Sequence, residues 1–513
     1  MAVAEHPGEL LSVDDRNRRF GVETNGINFI GEEERLMGQR QLSTFWIASS
    51  FYPFNLLLGI LVYGLGLPLW ATIVVVVGIG FVAYFYVGLA SIPGARSGIS
   101  TQALTRVTFG INGNRVNALF AWVTGIAYEV INVVTGVLAG AALFHEMGWR
   151  SGGHGQTIVA LIVVYGFSIL LPYLGHATVI YVQQAFAVVL AIASAAIFIS
   201  LVPHLDLSAR VHGTGISFAS GFFIGCGIVI SGAWGYVMMA ADYPRYMPSR
   251  TSGRKIFWNV LFSAGAPAAF LGLVGVLMAS RGNLTALTAD PVGGSKGELS
   301  SAIFVIWILA AIGGSIANNA LTLYSAGLAA QALGLPVKRY QATIIDACIA
   351  TVGIIYILFI DNGGFLSWLN SAVVFSLAWL GPFGAIWLTD LAWRKWTALP
   401  GEVHGGRASP FWGLDGARRV AWPALVLGMF AAMMCISVPK YTGPVAAALD
   451  NTDFSWLAGP LVGGLVYFVF ARRIVRREVA DRYRLTPPAV EIDAEEAYST
   501  GVEHLLRGSH AKV

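Results

Sequence analysis

Charge is what this sequence lacks. Only 12% of its 513 residues are Asp, Glu, Lys or Arg, against roughly 25% in an ordinary soluble domain, and the shortage excludes a fold whose helices face water. Cysteine is scarce as well. Cys226, Cys348 and Cys435 are the three in the chain; they lie far apart in apolar stretches, which excludes a disulfide framework or thiolate metal site and leaves them as packing residues. No Gly-rich loop followed by Lys-Ser or Lys-Thr is present, which argues against a nucleotide-driven pump, and the nine histidines form no His-Glu-x-x-His pair. Neither an enzyme nor a metal or organic cofactor is therefore expected. No basic stripe with interleaved aromatics marks a nucleic-acid surface. The segment through Gln41 has no apolar core, so the first span itself is expected to direct insertion.

What is abundant is hydrophobic sequence, 56% of the chain, in runs of about the 20 residues that a helical membrane span needs. Twelve such runs are expected near 43–66, 70–94, 116–145, 157–175, 178–203, 216–243, 257–280, 301–332, 341–360, 365–392, 420–439 and 455–472. The expected class is an all-α polytopic membrane protein: a polar tail over 1–42, a transporter domain over 43–472 and a second tail over 473–513. Basic residues fall in alternate loops, such as Arg96, Arg106 and Arg115, then Arg245, Arg250 and Arg254, then Arg394 and Lys395. By the positive-inside rule both termini are cytoplasmic, in a cell (inner or plasma) membrane.

A helix in lipid must satisfy its backbone internally, so breaks at mid-depth need a reason. Span 1 carries Ser50 and Pro53 near its middle, and span 6 carries Gly232 and Gly235 around Trp234 and Tyr236. Both runs predict broken helices, although small-residue packing would read the same way. Span 3 places Glu129 at its midpoint, where an ionised acid costs about 2.5–3.5 kcal/mol. Tyr128 and Asn132, four residues apart, are expected to share a broad face with it. Glu129 is read as functional, against the alternative of a protonated acid bonded to a neighbouring helix. Span 8 has Asn318 and Asn319 at mid-depth with Thr322 one turn on, a set of amide and hydroxyl groups that suits either the edge of a flat heterocycle or interhelical bonding. Interruptions at corresponding places in two halves point to a five-plus-five inverted repeat with its site at the midplane, here followed by two more spans.

Several tracts carry a resemblance. Val22-Glu23-Thr24-Asn25-Gly26-Ile27 ahead of span 1, Ala240-Ala241-Asp242-Tyr243-Pro244-Arg245 at the end of span 6, Ile316-Ala317-Asn318-Asn319 in span 8 and Gly381-Pro382 in span 10 resemble the purine-cytosine permeases of the nucleobase-cation-symport-1 family. The resemblance implies a LeuT-like fold in which spans 1, 2, 6 and 7 rock against a scaffold, importing a nucleobase with Na⁺ or H⁺. It implies that Asn319 binds the base, that Tyr128 stacks on it, and that Trp234 or Tyr236 stacks from span 6. For a sodium ion it implies the carbonyls of Ala48 and Phe51, facing Gly313, Ile316 and Ala317, two of which lack the expected hydroxyl. A proton carried by Glu129 is the competing expectation, since a desolvated carboxyl can shift toward neutrality. An allantoin, hydantoin or pyridoxine-like heterocycle is the alternative substrate. A membrane sensor that has lost transport, or a channel, is the alternative class, although the spans lack a continuous polar pore.

Overall fold

The computed structural model describes residues 26–485, apart from 150–153, 174, 175, 205, 336, 338, 362, 363 and 413. Residues 22–25 of the first family-like tract and most of both tails lie outside this range.

Among the described residues nine helices are long and apolar enough to cross a membrane, and Gln39–Ser50 with Pro53–Tyr63 makes a tenth span bent by 47°. The shorter apolar helices Gly155–Leu171 and Ala421–Cys435 occupy the places of spans 4 and 11. The remaining spans are Leu69–Ser97 (2), Asn114–Glu146 (3), His176–Leu201 (5), Phe218–Met239 (6), Gly253–Arg281 (7), Ser301–Leu333 (8), Arg339–Phe359 (9), Phe365–Trp393 (10) and Ser455–Leu485 (12). The outward sides of these helices expose Val82, Ile162, Val188, Val352, Phe430 and Leu465, an apolar perimeter suited to lipid.

Proline sets the break in span 1. Tyr52 is extended at φ −149° and ψ 142°, as the residue before a proline prefers, and Pro53 starts the second half where its missing N–H costs nothing. The carbonyls freed by the break find donors: Asn55 Nδ2 donates to Ser50 O at 2.9 Å and Tyr236 Oη to Ser49 O at 2.8 Å. In span 6 the α-helix runs through Gly232, which was expected at the break, and gives way to a tighter 3₁₀ turn over Gly235–Met239.

Glycines set the packing. A Cβ on Gly59 of span 1 would stand 2.1 Å from Gly272 O of span 7, and one on Gly275 would stand 2.0 Å from Leu56 O. Those two backbones touch. Spans 3 and 8, each 33 residues long, form the most extensive helix pair, and spans 4, 5 and 9 pack around them. Spans 10, 11 and 12 pack on one another beside span 6.

Both described chain ends lie on one face, called here the terminal face. There the residues before span 1, expected as part of a polar tail, form a partly buried strap. Ile30 N donates to Gly98 O, Met37 N to Tyr246 O and Ile27 N to Gln331 Oε1. The guanidinium of Arg245, fully buried, donates to Gly26 O at 2.9 Å and to Tyr324 Oη at 3.0 Å. The linker between spans 2 and 3 folds into the short helices Thr101–Leu104 and Arg106–Phe109 under the end of span 6, where Asp242 Oδ1 accepts from Thr101 N at 2.8 Å. Span 12 continues past residue 472 as helix to Leu485.

Candidate functional site

Span 1, broken at Pro53, and span 6, tightened to 3₁₀ at Gly235, meet spans 3 and 8 around a small cavity of about 20 Å³, room for about one water. Tyr52 and Phe54 line it from span 1, Tyr128 from span 3, Gly232, Gly235, Tyr236, Met238 and Met239 from span 6, and Asn318 and Thr322 from span 8. A heterocycle would need more space than this, so the walls must part to admit one. The aromatic wall is continuous: the rings of Tyr52 and Phe54 stack at 5.5 Å, and Phe54 meets Tyr128 edge-on at 5.8 Å.

Glycine in span 6 is required by these rings. A Cβ on Gly235 would stand 2.6 Å from Tyr128 Oη, and one on Gly232 would stand 2.5 Å from Leu58 Cδ1 and 3.2 Å from Phe54 Cε1. Tyr128 Oη donates to Ser231 O at 3.1 Å, which fastens span 3 to the end of the regular helix in span 6.

The polar wall is organised by Asn132. Its Nδ2 donates to Thr322 Oγ1 at 3.2 Å and to Asn319 Oδ1 at 3.5 Å, while its Oδ1 accepts from Asn318 Nδ2 at 3.4 Å. Thr322 Oγ1 donates to Asn318 O at 3.1 Å, and Tyr236 Oη lies 3.5 Å from Asn318 Oδ1. The Nδ2 of Asn319 is buried without a partner among the described residues. Asn318, with Thr322, therefore presents amide and hydroxyl atoms to the cavity, and Asn132 with Asn319 stands behind them.

Of the residues expected at the site, Tyr128, Tyr236, Asn318, Thr322, Gly232 and Gly235 line the cavity, and Asn132 and Asn319 support it. Trp234 does not line it; the indole stacks on Tyr86 of span 2 at 4.5 Å. Two residues along a helix are separated by roughly 200°, so only one of Trp234 and Tyr236 can face inward. Glu129 also departs from the expected common face. It lies about 100° round the helix from Tyr128, and its Oε1 lies 2.9 Å from Tyr165 Oη of span 4. Sequence reading missed Tyr52, Phe54, Met238 and Met239 as lining groups. The first two stood in plain view beside Pro53, where a broken helix turns consecutive side chains inward; the methionines carry no polar signal.

At the expected cation position, Ala48 and Phe51 end the first half of span 1. On the span 8 side a Cβ on Gly313 would stand 1.9 Å from Phe186 Cδ1 of span 5, so a benzyl ring fills the space a hydroxyl there would need. Ile316 and Ala317 supply no side-chain oxygen. Among the described residues no group of three or more His, Cys, Asp or Glu side chains could hold a metal ion.

Comparison with known proteins follows the same lines. The profile of a family described as permeases for cytosine/purines, uracil, thiamine and allantoin matches residues 29–459. YxlA of Bacillus subtilis is 21% identical over 91% of this chain and 99% of its own length. The purine-cytosine permease FCY2 of Saccharomyces cerevisiae is 24% identical over 76% of this chain and 77% of its own. Among solved structures, Mhp1, a nucleobase-cation-symport-1 family transporter, is similar in a closed conformation with bromovinylhydantoin bound, at a TM-score of 0.66, 15% identity and coverage of 89% of this chain and 96% of that one. Its inward-facing conformation superposes equally well, at 0.65.

Proposed function

The chain belongs to the family of permeases for cytosine/purines, uracil, thiamine and allantoin, and from that premise we propose that it is a cation symporter importing a nucleobase such as cytosine or a purine. That it is a multi-pass membrane transporter and not an enzyme follows from the family itself. The observation that carries the finer reading is the cavity between spans 1, 3, 6 and 8, whose lining brings the rings of Tyr128 and Tyr236 together with the amide of Asn318. A flat heterocycle is bound by aromatic faces above and below and by alternating donors and acceptors along its edge, and these three side chains offer both. A hydantoin or allantoin ring has the same kind of edge; bound bromovinylhydantoin in Mhp1 favours it as the second reading.

For the coupling ion the reading is a proton carried by Glu129. Span 8 brings no hydroxyl to the expected sodium position, Phe186 fills the space beside Gly313, and Glu129 is a buried acid at mid-membrane depth. The terminal face is assigned to the cytoplasm from its arginines.

The test is uptake of radiolabelled cytosine, adenine, hypoxanthine and allantoin by expressing cells, with and without Na⁺ and at two pH values. Saturable uptake of one of them, lost in Asn318→Ala, is expected, and Glu129→Gln is expected to remove its pH dependence. No uptake of any from well-expressed protein refutes the substrate reading, and pH dependence unchanged in Glu129→Gln refutes the proton.

A further inference from the structure

Span 3 turns Glu129 into the space between spans 4 and 9, where it is 1% exposed. There Tyr165 Oη lies 2.9 Å from Glu129 Oε1 and 2.7 Å from the carbonyl oxygen of Ala347. A tyrosine hydroxyl has one hydrogen to give. Facing two acceptors it can satisfy one, unless the Glu129 carboxyl itself carries a proton. Glu129 then donates to Tyr165, Tyr165 donates to Ala347, and both contacts are hydrogen bonds. Among the described residues Glu129 Oε2 is buried without a partner, which a neutral acid tolerates far better than a carboxylate. Beside Ala347, Asp346 is fully buried; one oxygen accepts from Trp122 Nε1 and the other has no partner among the described residues. Trp122 precedes Glu129 by seven residues, about 10 Å along the span, so Asp346 lies nearer the terminal face.

We propose that Glu129, Tyr165 and Asp346 form a proton-binding site within the scaffold of spans 3, 4 and 9, with Asp346 on the route between Glu129 and the terminal face. The site rests on the symport reading above and adds two residues that reading does not use. A proton arriving at the Glu129 carboxylate makes the neutral acid that these contacts favour. When it leaves by way of Asp346 to water, Tyr165 turns its hydrogen from Ala347 to Glu129, the protein loses one positive charge, and no covalent bond other than the acid O–H changes. Among the described residues the titratable groups facing Glu129 are Tyr165 and Asp346, with Cys348 beside Tyr165. Span 8 and the second half of span 1 carry no charged residue, and span 10 carries only Asp390, near the terminal face. Tyr128, one peptide from Glu129, touches span 6, so a charge on Glu129 lies next to the contact that joins scaffold and bundle.

Infrared titration of the full-length protein in lipid reads the carbonyl stretch of protonated carboxyls directly. A buried-acid band at neutral pH is expected in the wild type and lost in Glu129→Gln. In Tyr165→Phe it should titrate about one pH unit higher, because the hydroxyl supports the ionised form more than the neutral one. In Asp346→Asn it should titrate lower, a neighbouring like charge having been removed. No band in the wild type, or a band unchanged in Glu129→Gln, overturns the site; a Glu129 band unmoved in both other variants assigns it to an isolated acid and overturns the three-residue arrangement. The readout needs no substrate, so a band lost in Glu129→Gln together with uptake indifferent to pH would keep the site and refute only the symport reading.

Discussion

Gly235→Ala is the sharpest test of the aromatic wall. The new methyl would stand 2.6 Å from Tyr128 Oη and 2.8 Å from Cζ, whereas carbon and its neighbours rest at about 3.5–4.0 Å. The ring must retreat by about 1 Å, away from Ser231 O and toward the cavity it walls. Overpacking of this kind costs about 1–3 kcal/mol. Falling on the occupied state, that is about a 5- to 150-fold rise in Kd. Equilibrium binding of whichever labelled base is transported, measured on purified protein in proteoliposomes, gives the number. Adding Tyr128→Phe removes the atom in closest conflict and should recover part of the loss, a coupling that a double-mutant cycle isolates. Wild-type affinity in Gly235→Ala would refute the reasoning, since it would place the substrate away from the Tyr128 ring.

Two further substitutions discriminate between neighbours. Asn318→Ala should raise KM by at least about tenfold, the weight of one hydrogen-bonded edge, while Asn319→Ala, acting through Asn132, should cost less; transport measured for both would reverse the assignment if Asn319 proved the more sensitive. Gly275→Ala should deplete folded protein in the membrane, because its Cβ would meet Leu56 O at 2.0 Å and backbone cannot step aside; size-exclusion profiles of the variant at wild-type yield would contradict that packing.

The span order was legible because lipid imposes one rule on every helix: about 20 uncharged residues in a row. The break in span 1 was legible for the same reason, since Pro53 has only one way to sit in a helix. Facing was harder. Whether Trp234 or Tyr236 points inward depends on the turn tightening from α to 3₁₀ at Gly235, and no residue pattern announces that change. The same limit hid the outlook of Glu129, since adjacent residues on a long helix share depth but not direction. The strap before span 1 was taken for a tail because its anchors, Arg245 and Gln331, are more than two hundred residues away.

That strap has a further use. Gly26 through Met37 is tied by main-chain and side-chain hydrogen bonds to the end of span 6, to the loop after span 2 and to the end of span 8. In the rocking motion that the family resemblance implies, these elements would part, and the peptide bonds of the strap would be shielded or bared with the vestibule that opens. A segment that takes no part in holding cargo becomes a natural footprint of the transport cycle, one that a protease could read without any label on the helices themselves.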